Sequence, residues 1–204
     1  MADFIIKSAA GTGNKTLIQG QDQSGSNYAI QVGDAGATTL TNATITAGTF
    51  PAGHILQVQT SFSNAVFTTD TAIPQDDTIP QSNEGNEFRT IAFTPKSASS
   101  TILIDARMSC GKGGTGGEYT AVIALFKDSG TDAIAVGYNH VTAGESVHVT
   151  CLHTESAGST TARTYKMRVG CEEAVSINVN CISGTTRVYG GASSSGMTIY
   201  EIAG

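Results

Sequence analysis

The sequence predicts an all-β protein, and three observations support this fold class. Threonine and serine supply 28 and 19 of the 204 residues and glycine another 24, so residues that suit strands and turns dominate. From residue 54 onward, short apolar runs and alternating apolar and polar residues recur between clusters of Gly, Ser, Asn and Asp. A helical period of apolar residues is not seen. Many short strands of this kind indicate a C-terminal β-sandwich or jelly-roll-like domain.

The first part of the chain predicts an extended, β-rich anchor rather than a domain. Its short apolar clusters, such as those at 4–6 and 17–18, are bounded by turns that contain Gly or Asn and are too small to bury a core alone. We therefore divide the chain into an N-terminal anchoring β segment at 1–32, a short Thr/Gly-rich stem at 33–53 and a β-sandwich domain at 54–204.

The stem contains a weak internal repeat. Residues 39–53 divide into three pentads in which Leu40, Ile45 and Phe50 recur at every fifth position. Units that cannot bury an apolar side chain alone stack on neighbours, and three pentads favour neighbours in other chains, as in a homotrimer around a three-fold axis. The alternative is a Thr/Gly-rich linker with accidental spacing.

The β-sandwich domain is predicted to hold ten strands and one long polar loop. The loop runs from Asp70 to Gly85 and contains two prolines, and exposed loops of this length on a β scaffold are common binding sites. The predicted strands are 54–62, 87–94, 101–110, 118–127, 133–138, 145–153, 161–171, 173–181, 185–189 and 196–203.

The four cysteines share a face with the apolar residues of their strands. Cys110, Cys151, Cys171 and Cys181 each stand in phase with alternating apolar neighbours, for example Val147 and Val149 before Cys151. This phase predicts buried, reduced thiols that pack as small core residues. A disulfide between Cys171 and Cys181 is an alternative, which folding in a reducing cytosol disfavours.

A zinc site near Cys151 is a second alternative for the cysteines. His140, His148 and His153 are close in sequence, but the C-x2-C or H-x3-H pairs of structural zinc sites are missing, and His148 is expected to face away from Cys151. We therefore predict no metal site and no cofactor.

Catalytic motifs are also incomplete, so the chain is predicted not to be an enzyme. The glycine-rich stretch 111–117 lacks the Gly-Lys-Ser/Thr order of a phosphate-binding loop and precedes a predicted strand rather than a helix. A nucleophile elbow is not found. The adjacent carboxylates Asp76 and Asp77 do not form the opposed pair of a glycosidase.

Charge and hydropathy exclude two classes of partner. Eleven basic against 17 acidic residues give a net charge of −6, and the basic residues are scattered, which disfavours nucleic acid. No apolar run approaches the ~20 residues of a membrane helix. The N-terminus has no secretory pattern, so we expect synthesis and folding in a cytosol.

Four stretches of the chain resemble a family of tailed-bacteriophage virion proteins. They are the start at 5–19 with its Gly-Thr-Gly-Asn-Lys turn, the junction 47–58 from stem to β domain, the segment 93–104 and the C-terminus 197–204. The resemblance implies a homotrimeric fibre, spike or decoration protein of the virion, assembled in the bacterial host cytoplasm, with the N-terminal part attached to the particle and the β domain facing outward.

The expected function is a short fibre or spike that contributes to host attachment, and capsid decoration or a head fibre is the alternative. A cellular β-sandwich lectin or a secreted enzyme would explain the composition but not the stem. Expected partners are further copies of the chain, capsid, portal or tail proteins, and a host surface glycan or protein. The candidate anchoring or subunit-interface residues are Phe4, Ile5, Ile6, Leu17, Ile18, Leu40, Ile45 and Phe50, and the candidate receptor-facing residues are Asp76, Asp77, Asn83, Glu84 and Lys112.

Overall fold

The structure is a computed structural model that describes residues 51–114 and 116–204. These residues form ten strands and a short 3-10 turn at Val188–Gly191. The strands are β1 (Ile55–Ser63), β2 (Phe67–Thr69), β3 (Asn86–Phe93), β4 (Thr101–Gly111), β5 (Glu118–Lys127), β6 (Ala135–Thr142), β7 (Ser146–Ser156), β8 (Arg163–Cys171), β9 (Ile177–Val179) and β10 (Ser195–Ile202).

The strands build two antiparallel sheets with jelly-roll connectivity. The first sheet has the order β1-β10-β4-β7, and the short β9 and β2 extend it beyond the end of β10, where β9 pairs with the last residues of β4. The second sheet has the order β3-β8-β5-β6. Most consecutive strands alternate between the sheets, which is the arrangement of a jelly roll. The predicted all-β sandwich is confirmed.

The main core lies between the two sheets and follows from strict alternation along the strands. In β4, Ile102, Ile104, Ala106 and Met108 are fully buried, and the residues that alternate with them face the other way. They meet Ile123 and Leu125 of β5, together with apolar side chains of β3, β7, β8 and β10.

A second, smaller core lies on the outer face of the second sheet. Residues 121–126 of β5 are buried on both faces, as a continuous apolar run predicts. Val122, Ala124 and Phe126 point outward and pack under Ile73 from the 70–85 loop. The loop therefore covers this face, which we call the covered face.

The predicted strand at 185–189 is wrong. This segment holds a 3-10 turn in which Tyr189 has a left-handed backbone (φ 48°, ψ 39°) and a side chain that is 89% exposed. A five-residue run of Thr, Arg, Val and Tyr has strand propensity, but the described strands offer it no partner.

The predicted strand at 173–181 shrinks to three residues, and the polar residues of this segment are buried. Asn178 and Asn180 are nearly inaccessible. Asn180 has a left-handed backbone, its amide nitrogen donates to the carbonyls of Ser63 and Ala65, and its amide oxygen accepts from Ser195. These partners come from other segments of the chain, two of them more than a hundred residues away in sequence, so alternation misplaces Asn180.

The predicted burial of the cysteines is confirmed. All four are free thiols and almost inaccessible. Burial raises the pKa of Cys110 to about 12, with a contribution from nearby Cys171, and raises the pKa of Cys151 to about 11. These thiols are protonated core residues at neutral pH.

Candidate binding sites

A cleft opens between the 70–85 loop and the β5–β6 edge of the second sheet. Its volume is about 220 Å³. The floor and walls are mainly apolar, and the most prominent side chain is Tyr138 of β6, which is 62% exposed. The lining residues are Ile73, Pro74, Gln75, Asp76, Thr78, Pro80, Thr120, Val122, Val136 and Tyr138.

Backbone hydrogen bonds fix the loop that forms one wall of the cleft. Ile73 N donates to the Cys171 carbonyl at 2.7 Å, and Ala133 N donates to the Pro80 carbonyl at 2.9 Å. The Arg168 guanidinium, from β8, donates to the carbonyls of Glu84 and Gly85, each at 2.7 Å. The wall is therefore preformed despite its length.

Close packing at Gly170 brings the loop onto β8. A Cβ at this position would lie 2.7 Å from the Thr71 carbonyl oxygen and 2.9 Å from Ile73 Cγ1. Any larger residue would push the loop away from the sheet. Glycine at this strand position is thus a requirement of the covered face.

Polar groups stand along one rim of the cleft. Asp76 Oδ1 accepts hydrogen bonds from the Thr78 amide and hydroxyl. The Thr120 hydroxyl donates to Gln75 Oε1 at 3.0 Å and lies 3.3 Å from His140 Nδ1. The rim therefore combines a carboxylate, a side-chain amide and an imidazole with the apolar floor.

The outer face of the first sheet is the second candidate surface. Val58, Tyr200 and Leu103 stand side by side across β1, β10 and β4. Leu152 lies on the next outward-facing row, and Phe62 lies one row further. Val58 is 46% and Leu152 67% exposed, and among the described residues no loop covers them as Ile73 covers the second sheet. We call the surface formed by Val58, Phe62, Leu103, Leu152 and Tyr200 the bare face.

The two charges on the bare face are already paired within the chain. Arg107 lies 3.8 Å from Asp105, and its guanidinium stands 5.3 Å above the Phe62 ring. A partner that covers this surface would therefore bury neither charge without an oppositely charged neighbour.

The structure brings some of the predicted receptor-facing residues together. Asp76 lines the cleft, while Asp77 and Asn83 are exposed on the same loop. Glu84 is half-buried and accepts from Gln81 N, so it holds the loop together. Lys112 is at the β4–β5 turn, where it donates to the Gly113 carbonyl and contacts the Tyr119 ring, and it does not line the cleft.

The predicted anchoring and interface residues Phe4, Ile5, Ile6, Leu17, Ile18, Leu40, Ile45 and Phe50 lie outside the described residues. Sequence reasoning also missed Val136 and Tyr138 as binding residues. Their shared phase on β6, opposite the outward residues of β5, was a signal that could have found them.

Two carboxylates outside the cleft, the half-buried Glu155 and the buried Glu201, are engaged in structural networks. Burial alone would raise the pKa of Glu155, but hydrogen bonds from Tyr165 and Lys127 and the charges of Lys127 and Arg163 bring it below its ordinary value. Glu201 is fully buried and accepts from Lys96 N, Ser97 N, the Ser100 hydroxyl and the Gln57 amide. These hydrogen bonds outweigh burial and lower the pKa of Glu201.

Across 51–114 and 116–204, no three His, Cys, Asp or Glu residues are grouped to hold a metal ion. The same residues include no helix with the length and apolar character to cross a bilayer.

Comparison with known proteins changes the expected identity. A family model described as the Pgp3 C-terminal domain matches residues 59–204. A search of curated proteins finds no match. Pgp3 is a chlamydial plasmid virulence protein, so the family is not one of bacteriophage virion fibres.

The expected phage virion identity, its fibre or decoration role and its virion localisation are therefore wrong. Segments 93–104 and 197–204, which carried part of the resemblance, lie inside the matched domain. They are strand and turn sequences of a jelly roll, a fold that many unrelated proteins share, and they do not specify a particle. The chain belongs to the Pgp3 C-terminal domain family.

Proposed function

We propose that the chain is a noncatalytic binding protein that works as an assembly of its own copies, joined through the bare face. Membership of the Pgp3 C-terminal domain family supports a role in virulence rather than in a virion. The exposed apolar surface of the first sheet is the observation that carries the assembly.

The composition of the bare face favours a permanent protein contact. Val58, Leu103 and Tyr200 form a continuous row across three strands, with Leu152 on the next row and Phe62 one row further. A contiguous apolar surface of this kind is typical of an interaction site, and apolar burial drives stable association.

The charges on the bare face favour contact with a second copy of the chain over contact with a partner that binds through opposite charge. The Asp105–Arg107 pair is satisfied within one chain, so burying it leaves no isolated ion that needs a complementary charge opposite. Closed three-fold symmetry would bury the same residues in every copy with no separate partner. The pentad repeat at 39–53 supports three copies.

A noncatalytic role is supported by the state of the reactive groups. Burial raises the pKa of the Cys110, Cys151 and Cys171 thiols, which makes them poor nucleophiles. Glu155 and Glu201 are occupied by several donors each, and lowered pKa values suit structural carboxylates better than general acids.

Light scattering coupled to size-exclusion chromatography tests the assembly on the full chain. The wild type is expected to elute with the mass of three chains. Leu152→Asp and Val58→Asp place unpaired charges on the bare face and should shift the protein to monomers. Ile79→Asp is the matched control, because Ile79 is 56% exposed but lies on the 70–85 loop.

A monomeric wild type over the micromolar range would refute the proposal, as would trimers that persist in both bare-face variants. Circular dichroism checks that each variant keeps its strands. Loss of the trimer in Ile79→Asp as well would indicate that the copies make contact on the covered face and not only on the bare face.

The predicted outside partner, a host surface glycan or protein, stays a proposal. The cleft on the covered face is the candidate contact point, since Asp76 lines it and Asp77 lies beside it on the loop. Binding of the full chain to host cells, lost on substitution of Tyr138, is the measurement.

A further inference from the structure

The cleft at the 70–85 loop has the features of a small-ligand site. It is concave, its loop wall is held by backbone hydrogen bonds, and its floor rests on the second core of Ile73 and Val122. A site that exists before its ligand arrives costs less ordering on binding.

The size of the cleft limits the ligand to about one ring. Its volume is about 220 Å³, below the ~300–1,000 Å³ of sites that hold drug-sized molecules. A long apolar peptide would therefore place one side chain in the cleft and lie mainly outside it.

The apolar part of the cleft provides a stacking surface. Tyr138 and Val136 project from the same face of β6, and Pro74 and Pro80 stand in the loop opposite. An exposed aromatic ring beside aliphatic walls suits a ligand with a flat C–H face.

On the polar rim, one acceptor and one donor have no hydrogen-bond partner among the described residues. Asp76 Oδ1 is taken by Thr78, but the described residues give Oδ2 no hydrogen-bond donor. Gln75 Oε1 accepts from Thr120, and none of the described groups accepts from the Gln75 amide nitrogen. An acceptor next to a donor matches adjacent hydroxyl groups, which can both donate and accept.

The charge of the lining disfavours anionic ligands of this size. The lining contains no Lys or Arg, and its one charged side chain is Asp76, so the cleft does not attract a phosphate, sulfate or carboxylate. A neutral molecule with an apolar face and a hydroxylated edge fits both halves of the cleft.

We propose that the cleft binds one neutral pyranose ring, which stacks on Tyr138 and bonds through adjacent hydroxyls to Asp76 and Gln75. The sugar is either the terminal residue of a glycan or a free monosaccharide. This inference rests on the proposed noncatalytic binding role, but it does not depend on the assembly through the bare face.

Saturation-transfer NMR on the full chain tests the site with methyl glycosides of glucose, galactose, mannose, N-acetylglucosamine and N-acetylgalactosamine. At least one should bind with a Kd of about 1 mM or below. Tyr138→Ala should weaken that binding about tenfold or more, and Tyr138→Phe, which keeps the ring, should retain it. Tyr189→Ala is the matched control, since it removes an exposed tyrosine that does not line the cleft.

Absence of binding for the whole set at about 10 mM overturns the inference, and so does Tyr138→Ala that binds as well as wild type. Gln75→Ala should lower affinity without changing the far-ultraviolet dichroism, and an unchanged affinity would remove the hydroxyl recognition. Apolar peptides that bind at the cleft while the sugars do not would make it a protein-docking pocket.

A glycan array distinguishes the two sources. Retention on immobilised glycans that the bound methyl glycoside competes away assigns a glycan terminus, whereas binding of the free glycoside alone assigns a soluble sugar. The same samples are examined by light scattering. Trimers without sugar binding refute the inference alone, and monomers that bind sugar refute the assembly alone.

Discussion

The two outer faces of the sandwich differ in whether their apolar side chains are shielded from water. On the covered face, Phe126 and Val122 are buried because the chain's own 70–85 loop lies over them. On the bare face, Val58 and Leu152 remain open to solvent among the described residues. The loop completes its sheet within one chain and forms one wall of the cleft. Among the described residues, the first sheet has no such cover.

The largest effect should come from the covered face. Phe126→Ala removes a ring that is 1% exposed from beneath the loop and should lower the free energy of unfolding by about 3–5 kcal/mol. Urea denaturation followed by circular dichroism measures it. A loss under about 1 kcal/mol would mean that the loop rests on the sheet without stabilising it.

The first sheet is stabilised by hydrogen bonds to the buried Glu201 carboxylate rather than by a covering loop. Glu201→Gln puts an NH2 group among the Lys96, Ser97 and Ser100 donors and should cost about 1.5–3 kcal/mol at pH 7. Glu145→Gln, at an exposed position, is the control and should change little.

Acid titration sharpens the same test. Because the folded pKa of Glu201 lies below its ordinary 4.5, its contribution is complete above that pH and is lost as the pH falls through the folded pKa. The wild type should therefore lose stability below about pH 4.5, and Glu201→Gln should lose less over the same range. Equal losses would assign the acid sensitivity to Glu155 and other groups.

Lifting the loop should have a smaller effect than emptying the space beneath it. Gly170→Ala places a methyl group against the Thr71 carbonyl and Ile73, and we expect a cost of about 1–3 kcal/mol from overpacking. The cleft should bind less tightly in this variant because its wall shifts. Unchanged stability and unchanged binding would show that the loop is free to move away from β8.

The smallest effect is expected on the bare face of a dissociated chain. Leu152→Ala removes a side chain that is 67% exposed and should change monomer stability by under about 0.5 kcal/mol at dilute concentration. At concentrations where copies associate, the same variant should be less stable than wild type. A large loss in the monomer would mean that the chain itself buries Leu152.

Sequence reasoning predicted those parts of the molecule whose cause is local. The alternation in β4 and β8 placed Cys110 and Cys171 in the core. The expectation that the 70–85 loop carries a binding site stays a prediction, although residues of the loop line a cleft. Sequence reasoning could not show that Asn180 is buried, because the groups that satisfy its amide come from Ser63, Ala65 and Ser195.

The candidate site was predicted only in part for the same reason. Asp76 was found in the loop, but Tyr138 is on a strand more than sixty residues later and meets the loop through the folding of the second sheet. The family assignment went wrong where short stretches of common strand residues were given the meaning of a particle protein.

The high pKa of Cys110 and Cys151 determines how these buried thiols respond to oxidants. At neutral pH almost none of Cys110 or Cys151 is in the thiolate form that attacks glutathione disulfide or peroxide. Cys110 and Cys151 should therefore stay free of cross-links under oxidising as well as reducing conditions.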